Sequence, residues 1–341
     1  MADFLKTLKH EELVKISADF NYLSVTNEFV GLKLLPMVRT ENMKVAIYNL
    51  MKGSEVRVSA LVHALDSEAR IGDRPEYEEL RAELFLIKEK INQGEEMRKK
   101  IKDLGMDDSD NAIILALYED IANQISKVLV GFERRACELL STGKIVIDEN
   151  GAKKSVTMGF DEATNKTAFS GWADPTHDIV GDLIAFNKMS SNKLKRIIIS
   201  PERLANILNN EKLNAIAAND VSQGYLTEDY ALNFIKRITK IQDIKVDDRV
   251  FQLSYKKGSK QYRYFPQDTV IALTSLKEVG KTFMTSTPIE DGNTSDSKYG
   301  FVAVSQWRTE DPVTSWTKAE GVGLPVIPNI NEVLFLATIS D

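Results

Sequence analysis

DSDNAIILALYEDIANQISKVLVGFERRACELLSTGK, residues 108–144, organises the reading of this chain of 341 residues. Asp108, Ser109 and Asp110 carry the short oxygen-bearing side chains that satisfy the free N–H groups of a first helical turn, and their charge suits the positive end of the dipole. Ile114, Leu117, Ile121, Ile125, Val128, Phe132, Ala136 and Leu139 then recur at steps of three and four, which places them on one face of a helix. Gly143 follows as a stop, because glycine accepts the left-handed conformation that closes helices. The pattern predicts a helix from about Asp108 to Leu140. Roughly 33 residues at 1.5 Å each make a rod about 50 Å long. Such a rod suits an element that braces an extended molecule.

Downstream, Lys144–Ile147 and Ser155–Met158 flank Asp148-Glu149-Asn150-Gly151, and Asn-Gly is a strong hairpin turn signal. From 174 to 280 helical and strand patterns alternate, as in a compact α+β or α/β unit. Asp178–Phe186 is helical, Arg196–Ile199 is a buried strand, and Ser200-Pro201-Glu202 opens a helix with proline in its first turn. Thr227–Lys240 is amphipathic through Tyr230, Phe234 and Ile238. Ile244–Tyr255, Gln261–Phe265 and Val270–Leu273 read as strands. The last sixty residues are mostly β and finish in a buried strand over Glu332–Ala337.

Upstream, Leu5, Leu8, Leu13 and Ile16 line a short helix, and Leu32, Leu34, Leu35 and Pro36 end the segment in extended chain. Val45–Ala64 alternates with period two, clearest at Val56, Val58, Ala60, Val62 and Ala64. Arg57, Ser59 and His63 fall on the opposite face. Arg70-Ile71-Gly72-Asp73-Arg74-Pro75 has turn chemistry. Tyr77–Ile91 fits either a returning strand or a helix, since Leu80, Leu84, Ile87 and Ile91 keep helical spacing; the returning strand of a long hairpin is expected.

The chain is mildly acidic, with 44 basic and 50 acidic residues and a net charge of −6. A dedicated nucleic-acid binder normally carries a basic excess. One cysteine, Cys137, excludes an intrachain disulfide, and its apolar helical setting predicts a small buried residue. The first residues show no signal-peptide pattern and no apolar run reaches bilayer length, so synthesis in a reducing cytosol is expected.

Chemistry-bearing motifs are scarce. His10, His63 and His177 are the three histidines, expected at exposed or interfacial positions. Cys137 lacks the open, electropositive setting of a reactive thiolate. No Cys/His spacing suits zinc, and Gly321-Val322-Gly323-Leu324-Pro325 lacks the third glycine and the helix of a phosphate loop. The loop Asp291–Asp296 lacks the last glutamate of a calcium loop. Glu78/Glu79 and Asp247/Asp248 are adjacent and so diverge, and Glu95–Lys100 reads as a solvated face. Tyr262, Tyr264 and Phe265 beside Lys256, Lys257 and Lys260 imitate a stacking platform, although strand aromatics normally pack a core. No catalytic, cofactor or metal residue is therefore assigned, and no enzyme activity is expected.

Four segments, in this order, carry a resemblance. They are Cys137–Lys144, Trp172–Ile179, Tyr264–Val270, and Trp307 through Asp311-Pro312-Val313 with Gly323–Val326. Together they resemble the lambda-type major capsid protein family, capsid protein E, which has the Hong Kong 97-like α+β capsid fold. The resemblance covers nearly the whole chain. It implies an N-terminal arm over 1–41 and an extended hairpin, the E-loop, over 42–91. A peripheral domain would span 92–173, with a spine helix at 108–141 and a β-hairpin. An axial domain would occupy 174–280, and 281–341 would return to the peripheral domain.

It further implies hexamers and pentamers that close into an icosahedral shell around double-stranded DNA, without sequence-specific binding and without a membrane. Scaffold, portal and decoration proteins are candidate partners. The product would be a virion component assembled in the host cytoplasm. Arg57, Arg70, Asp73 and Arg74, charged and on or near the hairpin tip, are the candidate subunit-interface residues. The alternative is an encapsulin-type compartment, distinguished by an enzyme cargo; an enzyme or a small monomeric binding protein are further rivals.

Overall fold

The helix at the centre of the molecule spans Ser109–Thr142 in the computed structural model, which describes residues 8–42, 44–50, 77–93, 109–158, 166–189, 194–219, 226–254, 258–291, 300–311, 313–328 and 333–339. Ile121, Ile125, Val128, Phe132, Ala136 and Leu139 are all fully buried, as their spacing requires. A second row, Leu129, Cys137 and Leu140, is buried beside them, so the C-terminal half presents a broad apolar surface. Gly143, at φ +72°, closes the helix by donating its N–H to the Leu139 carbonyl at 2.9 Å. The hairpin Lys144–Glu149/Ala152–Thr157 turns on Asn150 and Gly151, both at positive φ, as a tight type I′-like turn needs.

One face of this helix meets a five-stranded sheet. Its central strand, Val313–Val326, pairs antiparallel with Ala303–Glu310 and then Lys281–Thr285 along one edge, and with Phe85–Gln93 along the other. Met37–Arg39 adds in parallel beside Lys281–Thr285. The rings of Phe85 and Phe132 stack at 5.8 Å across the helix–sheet junction. Each such fully buried large side chain contributes roughly 1.5–3 kcal/mol.

A second five-stranded sheet runs in the order 166–170, 333–339, 269–273, 196–199, 243–246. Its alternating side chains serve two cores. Ile198, Ile271 and Leu273 join the core of the long helix, whereas Ile197, Ile199, Val270 and Ala272 face Trp172, Leu183, Phe186, Leu232 and Ile235. Period-two alternation in a strand buried on both faces produces this division. Around the second core lie helices Ile179–Met189, Pro201–Leu208, Glu211–Asn219 and Glu228–Thr239. Ser200 and Thr227 cap two of them, accepting from the Arg203 and Tyr230 N–H groups.

The returning strand chosen for Tyr77–Ile91 is present: Tyr77–Glu83 pairs antiparallel with Lys44–Leu50, and Phe85–Gln93 is a further strand that joins the first sheet, so strand pairing overrides the helical spacing there. Other expectations need correction. Leu32 and Leu34 are not extended; they lie in a single helical turn, Gly31–Leu34, whose N–H groups find a side-chain acceptor described below. The strand expected over Ile244–Tyr255 splits into Asp243–Val246 and Val250–Gln252, because Asp247 turns inward to hold Arg249. Glu211–Asn219 was not anticipated; Asn210 caps it through the Leu213 N–H at 3.1 Å. Val333–Ile339 sits between 166–170 and 269–273 in the second sheet. Gly321–Pro325 is ordinary strand.

No helix among the described residues is long and apolar enough to cross a membrane. The alternation at Val56–Ala64, the turn at 70–75, the run Glu95–Lys100, Lys256, Lys257 and the 292–296 part of the acidic loop lie outside the described residues.

Candidate functional site

The N-terminal segment is held by its own chain. His10–Asp19 packs along the Ala303–Glu310 strand, with Leu13 and Val14 buried. Ser17 Oγ donates to the Val302 carbonyl at 2.5 Å, and the Gly300 N–H donates to Ser17 Oγ at 3.1 Å. Beyond it, the Gly31–Leu34 turn rests on the long helix.

The contact between them is a buried carboxylate. Glu133 lies between Leu129 and Cys137 on the apolar side of the helix and is fully buried. Its Oε1 accepts the N–H groups of Val30 and Gly31 at 2.8 and 2.9 Å, and its Oε2 accepts that of Leu32 at 2.7 Å. Arg249 Nη1 donates to Oε1 at 3.0 Å and to the Glu28 carbonyl at 2.9 Å. Arg249 Nε is held in turn by Asp247 at 2.9 Å, and the guanidinium lies 4.9 Å from the centre of the Tyr264 ring. Three unpaired N–H groups at a helical start form an anion site; here the anion comes from the neighbouring helix. Gly31 is required, since a Cβ there would lie 2.8 Å from Ala136 Cβ and 2.9 Å from Glu133 Oε2.

This cluster ties together 28–35, the long helix and the 247–264 region, and its electrostatics follow from burial. Burial pushes the Cys137 thiol well up, and the adjacent Glu133 pushes it further. Burial, then Glu133, raises Tyr264. Burial alone would lower Arg249, but Glu133 and Asp247 more than offset that and hold it charged. Nothing here resembles an activated nucleophile; the site fixes structure.

Beside it, an open groove of about 600 Å³ is walled by Arg134, Arg135, Val146, Phe251, Tyr262 and Arg263. Its cations are internally matched. Arg134 reaches Glu149 at 2.5 Å, Arg135 reaches Glu138 at 2.6 Å and Glu149 at 3.0 Å, and Arg263 pairs with Glu202 at 3.0 Å and with Asp248. Burial raises the Glu149 carboxyl, yet Arg134 and Arg135 outweigh it and leave that group below its ordinary value.

The remaining candidates can now be placed. Asp247 is buried against Arg249 while Asp248 is exposed and pairs with Arg263, so the two carboxylates diverge. Phe265 is buried and Tyr264 half-buried, as core aromatics should be, but Tyr262 is 37 % exposed and stacks on Phe251 with Lys260 above it. His177 is neither free nor simply exposed: its Nε2 lies 2.7 Å from Asp182 Oδ2, which also accepts from Trp172 Nε1 at 2.8 Å. His10 is half-buried in the first helix, and His63 lies outside the described residues. Among the described residues no group of three or more His, Cys, Asp or Glu side chains is placed to hold a metal ion.

Arg57, Arg70, Asp73 and Arg74 also lie outside the described residues. The strands that lead to and from them, Lys44–Leu50 and Tyr77–Glu83, pair from Lys44↔Glu83 to Leu50↔Tyr77. They form a two-stranded ribbon that shares no described ladder with either large sheet. Glu133 was missed in the sequence although its signal is there, a lone acid at a core position of an apolar helix.

No protein-family model and no curated protein matches the sequence. Among solved structures, the chain superposes on a prophage capsid protein from E. coli CFT073 with a TM-score of 0.66. That match covers 98% of this chain and all of the other, at 11% identity. The fold is that of phage capsid proteins. A phage-related protein of Bordetella bronchiseptica RB50 matches over 98% of both chains at TM-score 0.52 and 11% identity. The capsid structure of cyanophage P-SCSP1u matches at 0.50 and 8% identity, covering 92% of this chain and 89% of its own. The Hong Kong 97-like α+β fold expected from the resemblance is therefore the fold of this chain.

Proposed function

We propose that the chain is a major capsid protein, which assembles into hexamers and pentamers and closes an icosahedral shell around double-stranded phage DNA. The observation that carries this reading is the end-to-end superposition on a prophage capsid protein, 98% of one chain against 100% of the other. In this reading the E-loop, expected over 42–91, projects through the ribbon of Lys44–Leu50 and Tyr77–Glu83, Phe85–Gln93 belongs with the sheet around Val313–Val326, and Ser109–Thr142 is the spine helix. The sheet around Val313–Val326 is the peripheral domain, and the second sheet with its helices, Val333–Ile339 included, is the axial domain. The role is structural, the product a virion component assembled in host cytoplasm, with scaffold, portal and decoration proteins as further partners.

The ribbon of Lys44–Leu50 and Tyr77–Glu83 supports the assembly part. An isolated two-stranded ribbon is only marginally stable in water, and its open edges and tip gain partners when it lies across a neighbouring subunit. Arg57, Arg70, Asp73 and Arg74 are the residues proposed to make those contacts. Modest contacts to several neighbours, multiplied over a shell, suffice for closure and still allow errors to be undone.

Electron microscopy of the purified full chain, alone and co-expressed with its neighbouring gene products, is the direct test. Closed shells of hexamers and pentamers containing DNA are expected. Shells filled with an enzyme would instead indicate an encapsulin-type compartment, and a chain that stays monomeric at every concentration would sink the proposal. Reversing charge with Arg70→Glu and Arg74→Glu together should impair shell formation and leave the chain folded; normal shells would remove those residues from the interface.

A further inference from the structure

Strand Phe85–Gln93 reads FLIKEKINQ, and its register against Val313–Val326 sets Lys90 opposite Lys318 and Lys88 opposite Glu320. The two faces of the strand differ. Ile87 and Glu89 turn to the long helix, where Glu89 pairs with Lys127 at 3.3 Å and Ile87 packs over Gly131. Lys88 and Lys90 turn the other way, are exposed, and form no ion pair with a described residue. On that outer face the Lys90 ammonium sits 4.6 Å from the centre of the Trp316 ring, and Trp316 stacks on Trp307 at 6.1 Å and 11°. Trp307 is 36 % exposed and Leu86 39 %. Lys318 has Glu320 at 2.8 Å, but the second oxygen of that buried carboxylate is already taken by the Ile289 N–H.

Like charges directly opposite one another weaken a strand pair, and the exposed Trp307 indole beside them adds apolar surface to water. A sheet surface that only faced solvent would gain from opposite charges at 90 and 318. Large aromatic anchors in a polar surround are instead the composition of a protein contact.

We propose that this outer face, centred on Lys88, Lys90, Trp307 and Trp316, is a contact surface for carboxylates on a second copy of this chain; the inference rests on the capsid reading above. Charge complementarity selects the occupant. The chain carries −6 overall while this face is cationic, so the surface offered by a neighbouring copy is on balance anionic. A nucleic-acid surface needs a cation for each phosphate neutralised, and here Lys318 is already paired. Exposed lysine–carboxylate contacts, each worth less than tenfold in an equilibrium constant, suit a lattice built from many weak contacts.

The test compares wild type, the double variant Lys88→Glu/Lys90→Glu and Trp307→Ala, each as the full chain. Shell formation is followed by light scattering and electron microscopy at low and high salt. The charge-reversed variant should need about tenfold more protein to form shells at low salt. The gap should narrow at 1 M salt, where the screening length falls to about 3 Å. Trp307→Ala should raise the threshold at both salts. All three side chains are exposed, so the circular dichroism of unassembled chain should match wild type. Lys90→Glu turns a like-charge pair with Lys318 into an opposite one while Lys88→Glu does the reverse against Glu320, so the thermal midpoint should move little. Wild-type thresholds for both variants would overturn the contact while leaving the capsid reading intact. A wild-type chain that forms no shells would overturn both. Shells that assemble normally from the charge-reversed chain but lose their DNA would overturn it in favour of a nucleic-acid surface.

Discussion

Replacing Glu133 should release the N-terminal segment from the long helix. In the Glu133→Ala chain three backbone N–H groups lose their acceptor, and the partly buried Arg249 loses one of its two carboxylates. Removing one partner of a buried, hydrogen-bonded pair costs about 3–5 kcal/mol, a large part of the 5–15 kcal/mol that typically separates folded from unfolded chains. Glu133→Gln is the more informative change. It keeps the shape and one acceptor oxygen, but its NH₂ must face either the Leu32 N–H or the Val30, Gly31 and Arg249 donors. About 2 kcal/mol is expected, since a buried donor left unsatisfied costs roughly 1–3 kcal/mol. With a urea slope near 3 kcal/mol/M, the unfolding midpoint of unassembled chain should fall by about 0.7 M. Limited proteolysis within residues 20–42 should accelerate in parallel. Arg249→Met in the same background should cost less than the sum of the single changes, because the Glu133–Arg249 contact is then lost only once; the buried Asp247 loses its partner in either chain that carries Arg249→Met. A Glu133→Gln midpoint within about 0.2 M of wild type would refute the reasoning.

Other outcomes follow from the same geometry. Phe132→Ala, at the helix–sheet junction, should cost about 3–5 kcal/mol in urea unfolding through the cavity it leaves. Gly31→Ala should destabilise by about 1–3 kcal/mol, since its Cβ has no room against Ala136 and Glu133. Cys137 should resist thiol reagents in the native chain and react on unfolding. Because burial raises its folded pKa, the neutral thiol favours the folded chain below the ordinary value of 9.0 and this advantage is lost as pH rises further, which a urea series at pH 8 and 10 would show. Glu149 has the opposite sign. Its lowered carboxyl stabilises above the ordinary 4.5 and is lost as pH falls through that region; the effect is small, because the pair with Arg134 is partly exposed, and Glu149→Gln should flatten it.

Where a local pattern and a tertiary role coincide, the sequence is sufficient. The long helix, the Asn150-Gly151 hairpin, and the caps at Ser200 and Thr227 carry their signals within a few residues. Tyr77–Glu83 shows the opposite case, because only its partner Lys44–Leu50 decides between strand and helix. Long-range acceptors are also invisible locally. Gly31–Leu34 is helical because a carboxylate about a hundred positions away supplies its cap. The Trp307–Trp316–Lys90 stack depends on the register of three strands, which no single segment encodes. The Glu133 latch and the surfaces of the described residues are matters of shape, which short motifs do not carry.

One strand of the second sheet has a mechanical consequence. Ile197 and Ile199 are clamped in one core and Ile198 in the other, so neither half can tilt without dragging the peptide chain it shares with its neighbour. Outward pressure on one half would be spread into the other as shear along a common wall, and the molecule would bear load as a plate instead of bending at a hinge.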